Sequence, residues 1–357
     1  MNDPTILTII LNYRTPELTL KSAVCAMREM QDVRGEIVIV DNDSKDDSFE
    51  MMAKAVDDPV WNKQGRVRLI QSDHNGGFGA GNNVGMNAGL SNGRQPDFYF
   101  LLNPDAFTQP GAIARLRDFM VTFPGAGIAG SLVRGVDGQP HQTAFRYPTV
   151  AGEFEGGART GFITRVLKDA VIPLPLPRST VQVDWVAGAS MMLRRRMLDQ
   201  IGLFDEAFFL YFEETELCHR AAQAGWRTHY VPASEVVHIG SASTGMKTWR
   251  RTPQYWFDSR LYYFTKTNGG FYAAKATGAR ILAGLIWRLR RLSPNQPQGD
   301  PPKFLRDLVS HSLRALGRSM TRAKPVERPQ LIIPQTPAPQ TTVPQTNVPQ
   351  ATVEDQQ

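Results

Sequence analysis

Short apolar runs alternate with helical patterns through the first third of the chain. Four runs have the length and composition of buried strands, at 5–11, 36–40, 67–70 and 98–102. Helical spacing separates them, as with Leu20, Val24 and Met27 after the first run. This order predicts an α/β fold with a Rossmann-like, mostly parallel sheet and helices on both faces. Ligands of such sheets bind beyond the carboxyl ends of the strands.

The middle of the chain has a more mixed pattern. Residues 136–180 are rich in glycine, proline and charge and predict a loop. Further strands are expected at 128–133, 181–186, 190–193, 228–231 and 235–239. The helical pattern from Glu213 to Ala224 is followed by Gly225, the residue type that favours a helix C-terminus.

The C-terminal third divides into a helical and a low-complexity part. Segment 271–292 contains an apolar stripe formed by Ile281, Leu285, Ile286 and Leu289. Four basic residues lie near it: Arg280, Arg288, Arg290 and Arg291. The segment is either an amphipathic helix on an anionic membrane or a domain-closing helix with a solvated basic rim. From Lys324 onward, Pro, Gln and Thr predict a disordered tail. We therefore divide the chain into 1–265, a C-terminal helical segment 266–323 and a tail 324–357.

Composition and charge narrow the class of protein. The 357 residues are 41% hydrophobic, enough for a large core, and carry a net charge of +6. This charge favours polyanionic partners such as nucleotides, lipid diphosphates or an anionic membrane surface, and no nucleic-acid-binding signature accompanies it. Cys25 and Cys218 lie in apolar helical patterns and predict reduced core thiols of a cytoplasmic protein. No signal peptide or membrane-spanning run is predicted.

Polar residues collect at the strand ends. Asn12 and Tyr13 follow the first run, and Asp41 follows the second. Asp41 can accept hydrogen bonds from a nucleobase imide or a ribose hydroxyl. The alternative is a turn or helix cap, which Asp also favours.

A second polar group follows the fourth run, where Asn103 and Asp105 flank a proline. Asp105 can hold a hard divalent cation against a diphosphate, with His238, at the end of a later strand, as a further ligand. The alternatives are an Asn-Pro turn with an Asp cap and a structural histidine.

Residues 75–85 contain five glycines between a strand and a helix. Glycine lets the backbone approach a phosphate or ribose closely, and the following helix N-terminus favours an anion. The same glycines could instead serve tight packing of the helix on the sheet.

An aromatic run at 208–212 leads into three carboxylates, Glu213, Glu214 and Glu216. Glu214 shares a helical face with the apolar residues 217, 218 and 221 and is expected to point inward. Burial raises the pKa of a carboxyl group and suits a general base acting on an acceptor hydroxyl. Glu213 and Glu216 could equally be first-turn acids that complement the helix dipole.

These segments together resemble glycosyltransferase family 2, the inverting enzymes of the GT-A fold, and most of all its bacterial rhamnosyltransferase-like branch. Six matching segments run in the family's order across residues 6–244: ILNYRTPELTLKSA, IVIVDNDSKDDS, NGGFGAGNNVGM, FLLNPDA, the stretch Trp185–Trp226 and VVHIGSAST. The resemblance implies a sugar-nucleotide donor, a glycan or polyprenyl-diphosphate-linked glycan acceptor, and Mg²⁺ or Mn²⁺ as cofactor.

The resemblance also implies roles for the matching positions. Five would line the donor nucleotide site: Tyr13, Asp41, Gly81, Asn83 and Asn103. Asp105 and His238 would hold the metal, and Gly188 and Ala189 would border the acceptor. Glu214 stands where the family has the Asp of its Glu-Asp pair and would be the base, with Glu213 or Glu216 as alternatives. Asn103 likewise replaces the first Asp of the family's Asp-x-Asp motif.

The implied reaction is a single displacement at the anomeric carbon, with dTDP-L-rhamnose as the first donor to test and UDP-hexoses as the alternative. It would serve bacterial polysaccharide or cell-wall synthesis in the cytoplasm, at the inner face of the membrane. Lys247, Arg250 and Arg251 would close over the diphosphate or form a solvated face. A nucleotidyltransferase is disfavoured because no glycine-rich loop follows the first strand. A non-catalytic sugar-nucleotide-binding protein is the remaining alternative.

Overall fold

A computed structural model describes residues 3–240, 250–291 and 299–321. The first half contains β1 (Ile6–Asn12), α1 (Pro16–Glu29), β2 (Gly35–Asp41), α2 (Ser48–Asp57), β3 (Val67–Gln71), α3 (Gly77–Ala88), β4 (Phe98–Leu102), β5 (Ala106–Thr108), α4 (Ala112–Thr122) and β6 (Ala126–Arg134). The remainder contains β7 (Ala144–Phe145), α5 (Val150–Ala158), α6 (Gly161–Val166), a 3-10 turn (Lys168–Ala170), β8 (Val181–Val183), β9 (Trp185–Val186), β10 (Ser190–Arg194), α7 (Arg195–Ile201), α8 (Glu213–Gln223), β11 (Arg227–His238), α9 (Gln254–Asn268), α10 (Gly270–Arg290) and α11 (Phe304–Thr321).

Within the described residues, nine strands form one sheet. Its order is β3-β2-β1-β4-β10-β6-β11-β5, and β8 adds to β11. The ladders among β1, β2, β3 and β4 are parallel, as is that of β6 with β11, whereas β10 runs antiparallel between β4 and β6. β1, β2 and β4 therefore end at the same edge, which the sequence predicted to carry the ligand site.

Both faces of the sheet are covered, which explains why its strands are apolar without alternation. On β1, Ile6 and Ile10 belong to one core, which includes side chains of α1, α2 and α4. Leu7 and Ile9 point into the other, which includes side chains of α3, α7 and α8. The predicted α/β fold with helices on both faces is confirmed.

The loop predicted for residues 136–180 is wrong, because this stretch contains α5, α6 and the short strand β7. α5 is glycine-rich and therefore a weak helix by propensity. Its glycines permit a close approach to α10: a Cβ atom on Gly157 would lie 2.7 Å from that of Ala283. A contact with a helix more than a hundred residues away thus favours a helix that local sequence does not indicate.

The two strands predicted at 228–231 and 235–239 are one strand, β11. Its register against β6 shifts between Val231 and Glu235, which is where the sequence pattern breaks. The strand therefore continues through the irregularity and ends at His238, beside β5.

The chain divides into two compact units, Met1–Arg314 and Ala315–Gln357. No helix in the described part of the chain has the length and apolarity to cross a membrane. The tail predicted from Lys324 onward lies outside the described residues, as does Lys247.

Candidate active site

Asp41 ties together the ends of two parallel strands. One of its carboxylate oxygens accepts hydrogen bonds from the Asn12 amide at 2.7 Å and from the Ser44 hydroxyl at 2.5 Å. The other accepts the backbone N–H of Ser44 at 3.1 Å. Asp41 is buried. Its hydrogen bonds with Ser44 cap the turn after β2, and this capping role was the predicted alternative to binding a ligand. Tyr13 is half-buried beside it, with the Arg14 guanidinium 5.2 Å from the centre of its ring.

The glycines of α3 allow this helix to lie directly on the sheet. A Cβ atom on Gly85 would be 2.6 Å from the Ile9 side chain, and one on Gly81 would overlap Leu11. Tight packing of the helix on the sheet was the predicted alternative to a ligand contact by these glycines.

Asn83 of α3 is buried and bonds to the segment that precedes α8. Its amide donates to the Phe204 carbonyl at 2.9 Å and to the Glu206 carboxylate at 2.8 Å, and accepts the Phe204 N–H at 3.1 Å. The side chain therefore holds the loop that precedes α8.

Asn103, Asp105 and His238 come together at the sheet edge. β5 pairs with β11 so that Ala106 lies opposite His238, which brings Asp105 beside the imidazole. His238 Nε2 lies 2.9 Å from an Asp105 carboxylate oxygen and 3.3 Å from the Asn103 amide nitrogen. Residues 135 positions apart thus bring the two predicted metal ligands, Asp105 and His238, beside Asn103, which was predicted to line the donor site.

The donor atoms of this group suit a hard divalent cation. A carboxylate oxygen is a common protein ligand of both Mn²⁺ and Mg²⁺, whereas an imidazole nitrogen suits Mn²⁺ better than Mg²⁺. Both ions take their remaining ligands from phosphates and water. Among the described residues, no three His, Cys, Asp or Glu side chains form a metal-binding group. A cation at Asp105 and His238 could take its remaining ligands from diphosphate oxygens and water.

The three carboxylates of α8 occupy different environments. Glu213 and Glu216 both lie in the first turn of α8, where they complement the helix dipole, and both are buried. Glu216 is ion-paired with Arg220 at 2.9 Å and with Lys266 at 2.7 Å. Glu213 and Glu214 each keep one buried oxygen, Oε2, that bonds to no described group.

Burial controls the protonation of Glu213 and Glu214. Desolvation raises the pKa of Glu214, and the backbone N–H of Gly188, which donates to its carboxylate, opposes that rise. Desolvation raises the pKa of Glu213 further, and the neighbouring charge of Glu214 adds to the effect. The expectation that Glu214 directs its carboxyl group inward is confirmed for Oε2.

The turn Gly188-Ala189 connects the two parts of the site. The Asn103 N–H donates to the Ala189 carbonyl at 3.0 Å, while the Gly188 N–H donates to Glu214. A Cβ atom on Gly188 would lie 2.9 Å from the Phe78 ring. One turn therefore fixes the candidate base relative to the candidate metal ligands.

Backbone strain also marks the start of α8. Tyr211 and Phe212 are in the left-handed region, with φ of 70° and 71°, immediately before Glu213. Non-glycine residues adopt this conformation at a cost of about 1–3 kcal/mol, and such strain clusters at functional sites.

Lys266 of α9 is a supporting residue that sequence reasoning missed. Its ammonium group contacts Asp205 at 2.6 Å and Glu216 at 2.7 Å, so it joins α8 to the preceding loop. The available signal was three carboxylates within one helical turn, which require a nearby cation when buried.

Arg251, expected near the diphosphate or on a solvated face, forms a bidentate pair with Asp307 of α11 at 2.6 and 2.7 Å. Its guanidinium therefore links the segment before α9 to α11 in this structure.

Comparison with known proteins identifies the family. The model of the family described as "Glycosyltransferase like family 2" matches residues 4–260. An N-acetylglucosaminyl-diphospho-decaprenol L-rhamnosyltransferase of Mycobacterium tuberculosis (strain ATCC 25618 / H37Rv) is 33% identical over 195 residues, 50% of this chain and 61% of that protein. The rhamnosyltransferase WbbL of Escherichia coli (strain K12) is 28% identical over 166 residues, 45% of this chain and 60% of that protein. The chain thus spans less than two thirds of these relatives.

Among solved structures, the mannosyltransferase PcManGT from Pyrobaculum calidifontis, in complex with GDP-Man and Mn²⁺, superposes with a TM-score of 0.52 at 14% identity. The match covers 91% of this chain and 82% of that one, which supports the expected GT-A fold. Because the family model spans well over half of the sequence, this protein belongs to glycosyltransferase family 2.

Proposed function

We propose that this protein is an inverting, metal-dependent glycosyltransferase that moves a sugar from a nucleotide diphosphate sugar to a lipid-linked glycan. One observation carries the proposal: the turn Gly188-Ala189 hydrogen-bonds to Glu214 on one side and to Asn103, beside Asp105 and His238, on the other. A base for the acceptor and ligands for a diphosphate-bound cation are what such a transfer requires.

The donor would bind at the carboxyl ends of β1, β2 and β4. Tyr13 offers a partly exposed ring to the base, and Asp41 and Asn103 lie at neighbouring strand ends. Gly81 and Asn83 support this region from below through their contacts with β1 and with the 204–206 loop. A cation held by Asp105 and His238 would neutralise charge on the leaving diphosphate.

Glu214 would act on the acceptor. Its ionised carboxylate accepts the hydroxyl proton as the acceptor oxygen forms a bond to the anomeric carbon. The bond from that carbon to the diphosphate oxygen breaks on the opposite face, so the configuration inverts. The Gly188 N–H stabilises the carboxylate form of Glu214, and desolvation keeps its proton affinity high enough to serve as a base. Gly188 and Ala189 would border the acceptor.

The relatives favour one donor and one acceptor class. Two of the curated relatives are rhamnosyltransferases, and the mycobacterial one is named for an N-acetylglucosaminyl-diphospho-decaprenol substrate. We therefore place dTDP-L-rhamnose first and UDP-hexoses second as donors, and a polyprenyl-diphosphate-linked glycan as acceptor. Such an acceptor would place the enzyme on the cytoplasmic face of the inner membrane, in polysaccharide or cell-wall synthesis.

Donor hydrolysis by the purified protein tests this proposal. Nucleotide diphosphate release is measured across a panel of sugar nucleotides, with Mn²⁺, Mg²⁺ or EDTA. The variants are Asp105→Ala and Glu214→Gln, and Asp118→Ala, an exposed carboxylate of α4, is the matched control. Metal-dependent hydrolysis of one donor, lost in the first two variants and kept in the third, is the expected result. Binding of a donor without turnover in any sample would instead support the non-catalytic sugar-nucleotide-binding protein.

A further inference from the structure

The outer face of α10 exposes four large apolar side chains. Phe271, Leu282, Leu285 and Leu289 keep 77%, 54%, 48% and 71% of their surface in solvent. Their spacing places them along one stripe of the helix. The stripe differs from the one predicted, since Ile281 and Ile286 are half-buried and face the protein instead.

The opposite face of the same helix closes the compact unit. Ala273, Ala276 and Ala283 are buried, and α10 packs on α5 and α9. The alternative of a domain-closing helix therefore describes this face of α10. The buried face accounts for the packing of α10 on its neighbouring helices. It does not explain the exposed stripe, and a row of leucine side chains in water is unfavourable.

The charge around the stripe has one sign. Residues 270–291 contain five Lys and Arg residues and no Asp or Glu. Arg280 is paired with Asp300, and Arg290 donates to backbone carbonyls of α5 and its C-terminus. Lys275, Arg288 and Arg291 are solvent-exposed.

A second apolar helix begins where α10 ends. Arg290 donates to the Thr160 hydroxyl at 2.6 Å, directly before α6. α6 exposes Phe162 and Val166, at 71% and 65%, together with Arg165. The segment 159–168 also lacks any acidic residue.

We propose that α6 and the outer stripe of α10, together the docking face, rest on an anionic lipid bilayer. The inference extends the proposed function, since a lipid-linked acceptor must be reached at a membrane surface. Exposed leucine and phenylalanine side chains enter the boundary between headgroups and acyl chains, while adjacent lysine and arginine attract anionic headgroups. The helices would lie in the plane of the interface, because no described helix can cross the bilayer.

Vesicle co-sedimentation of the full chain tests the docking face. The probes are phosphatidylcholine vesicles, alone or mixed with phosphatidylglycerol. The variant Leu285→Glu/Leu289→Glu is matched by Val60→Glu/Val136→Glu, which alters two exposed valines elsewhere. We expect binding to the anionic vesicles only, weakened about tenfold for each leucine replaced and unchanged in the control. Arg288→Gln/Arg291→Gln should reduce binding most at low salt and make it less dependent on salt, because salt screens the attraction that these two charges supply.

Donor hydrolysis without vesicles separates this inference from the proposed function. The leucine variant should hydrolyse donor like the wild type and lose only transfer to vesicle-bound acceptor. Vesicle binding kept by Glu214→Gln would show that docking does not depend on catalysis. Equal binding to both vesicle types, or none, would overturn the proposal. A wild-type dimer that the leucine variant converts to a monomer would instead make the stripe a contact between two copies.

Discussion

The turn that contains Asp41 and the turn that begins α8 bury their carboxylates in different ways. Asp41, after β2, accepts three hydrogen bonds, so each of its oxygens has a donor. Glu213 and Glu214, at the start of α8, each keep a buried oxygen that bonds to no described group. Burial removes water from both turns, and the number of local donors then decides whether the carboxylate is a structural anion or a group ready to take a proton.

The largest expected effect is on catalysis at the turn before α8. Glu214→Gln keeps the size of the side chain and its contact with Gly188 but removes the proton acceptor. We expect kcat to fall by about 10²–10⁴, with donor affinity and thermal stability close to wild type. Steady-state kinetics with a sugar-nucleotide donor measure the effect. If Glu213→Gln abolishes turnover while Glu214→Gln does not, the base is assigned to the wrong residue.

The contrasting effect at Asp41 is on stability. Asp41→Ala leaves the Asn12 amide and the Ser44 hydroxyl and N–H buried without their acceptor. We expect the free energy of unfolding to fall by about 3 kcal/mol, measured by urea denaturation. Asp32→Ala, at an exposed position, serves as the control. A stable Asp41→Ala protein with impaired donor binding would show that the carboxylate serves the nucleotide rather than the turn.

A smaller effect is expected at Lys266, which supports the α8 turn from α9. Lys266→Met removes the cation shared by Asp205 and Glu216 and leaves Glu216 with Arg220 alone, so Glu214 is held less rigidly and near a less fully compensated charge. We expect kcat to fall about tenfold and the acidic limb of its pH profile to move to higher pH. Lys266→Arg should restore both. A lower melting temperature with unchanged kcat and pH profile would make the residue purely structural.

The smallest effect concerns the pH dependence of stability. The pKa of Glu213 is raised in the folded protein, chiefly by desolvation, so above pH 4.5 the folded state binds more protons than the unfolded state. Stability therefore declines as pH rises through the folded-state pKa. Glu213→Gln should flatten that decline in urea denaturation at a series of pH values, whereas Glu17→Gln, at an exposed position, should not. Parallel curves for wild type and Glu213→Gln would refute the assignment.

Much of the sheet and of the donor side was predictable from the sequence. The four apolar runs correspond to β1 to β4, and parallel pairing makes β1, β2 and β4 end at one edge. The helix that carries Glu214 was also predicted, because apolar spacing and Gly225 mark its course and end. These features are local, since strand length, helical period and a C-terminal glycine all depend on neighbours along the chain.

The features that were not predicted depend on contacts between residues far apart in the sequence. α5 contains glycines that disfavour a helix, and its packing on α10 requires them. The exposed stripe of α10 could not be separated from the buried one, because aliphatic residues lie on both faces and only α5 and α9 define which is inside. The burial of Glu216 was not predicted, because its partner Lys266 lies fifty residues away.

The sequence by itself determined the order of the first four strands and the helices between them, the edge at which the candidate site lies and the residue types available there. The periodicity of apolar residues and the chemistry of strand ends act over a few positions, so they can be read along the chain. Only the tertiary structure decided which carboxylates find donors, which remain desolvated and which face of α10 stays exposed. Those outcomes depend on groups brought together from β4, β10, β11, α8 and α9, whose distances no local pattern encodes.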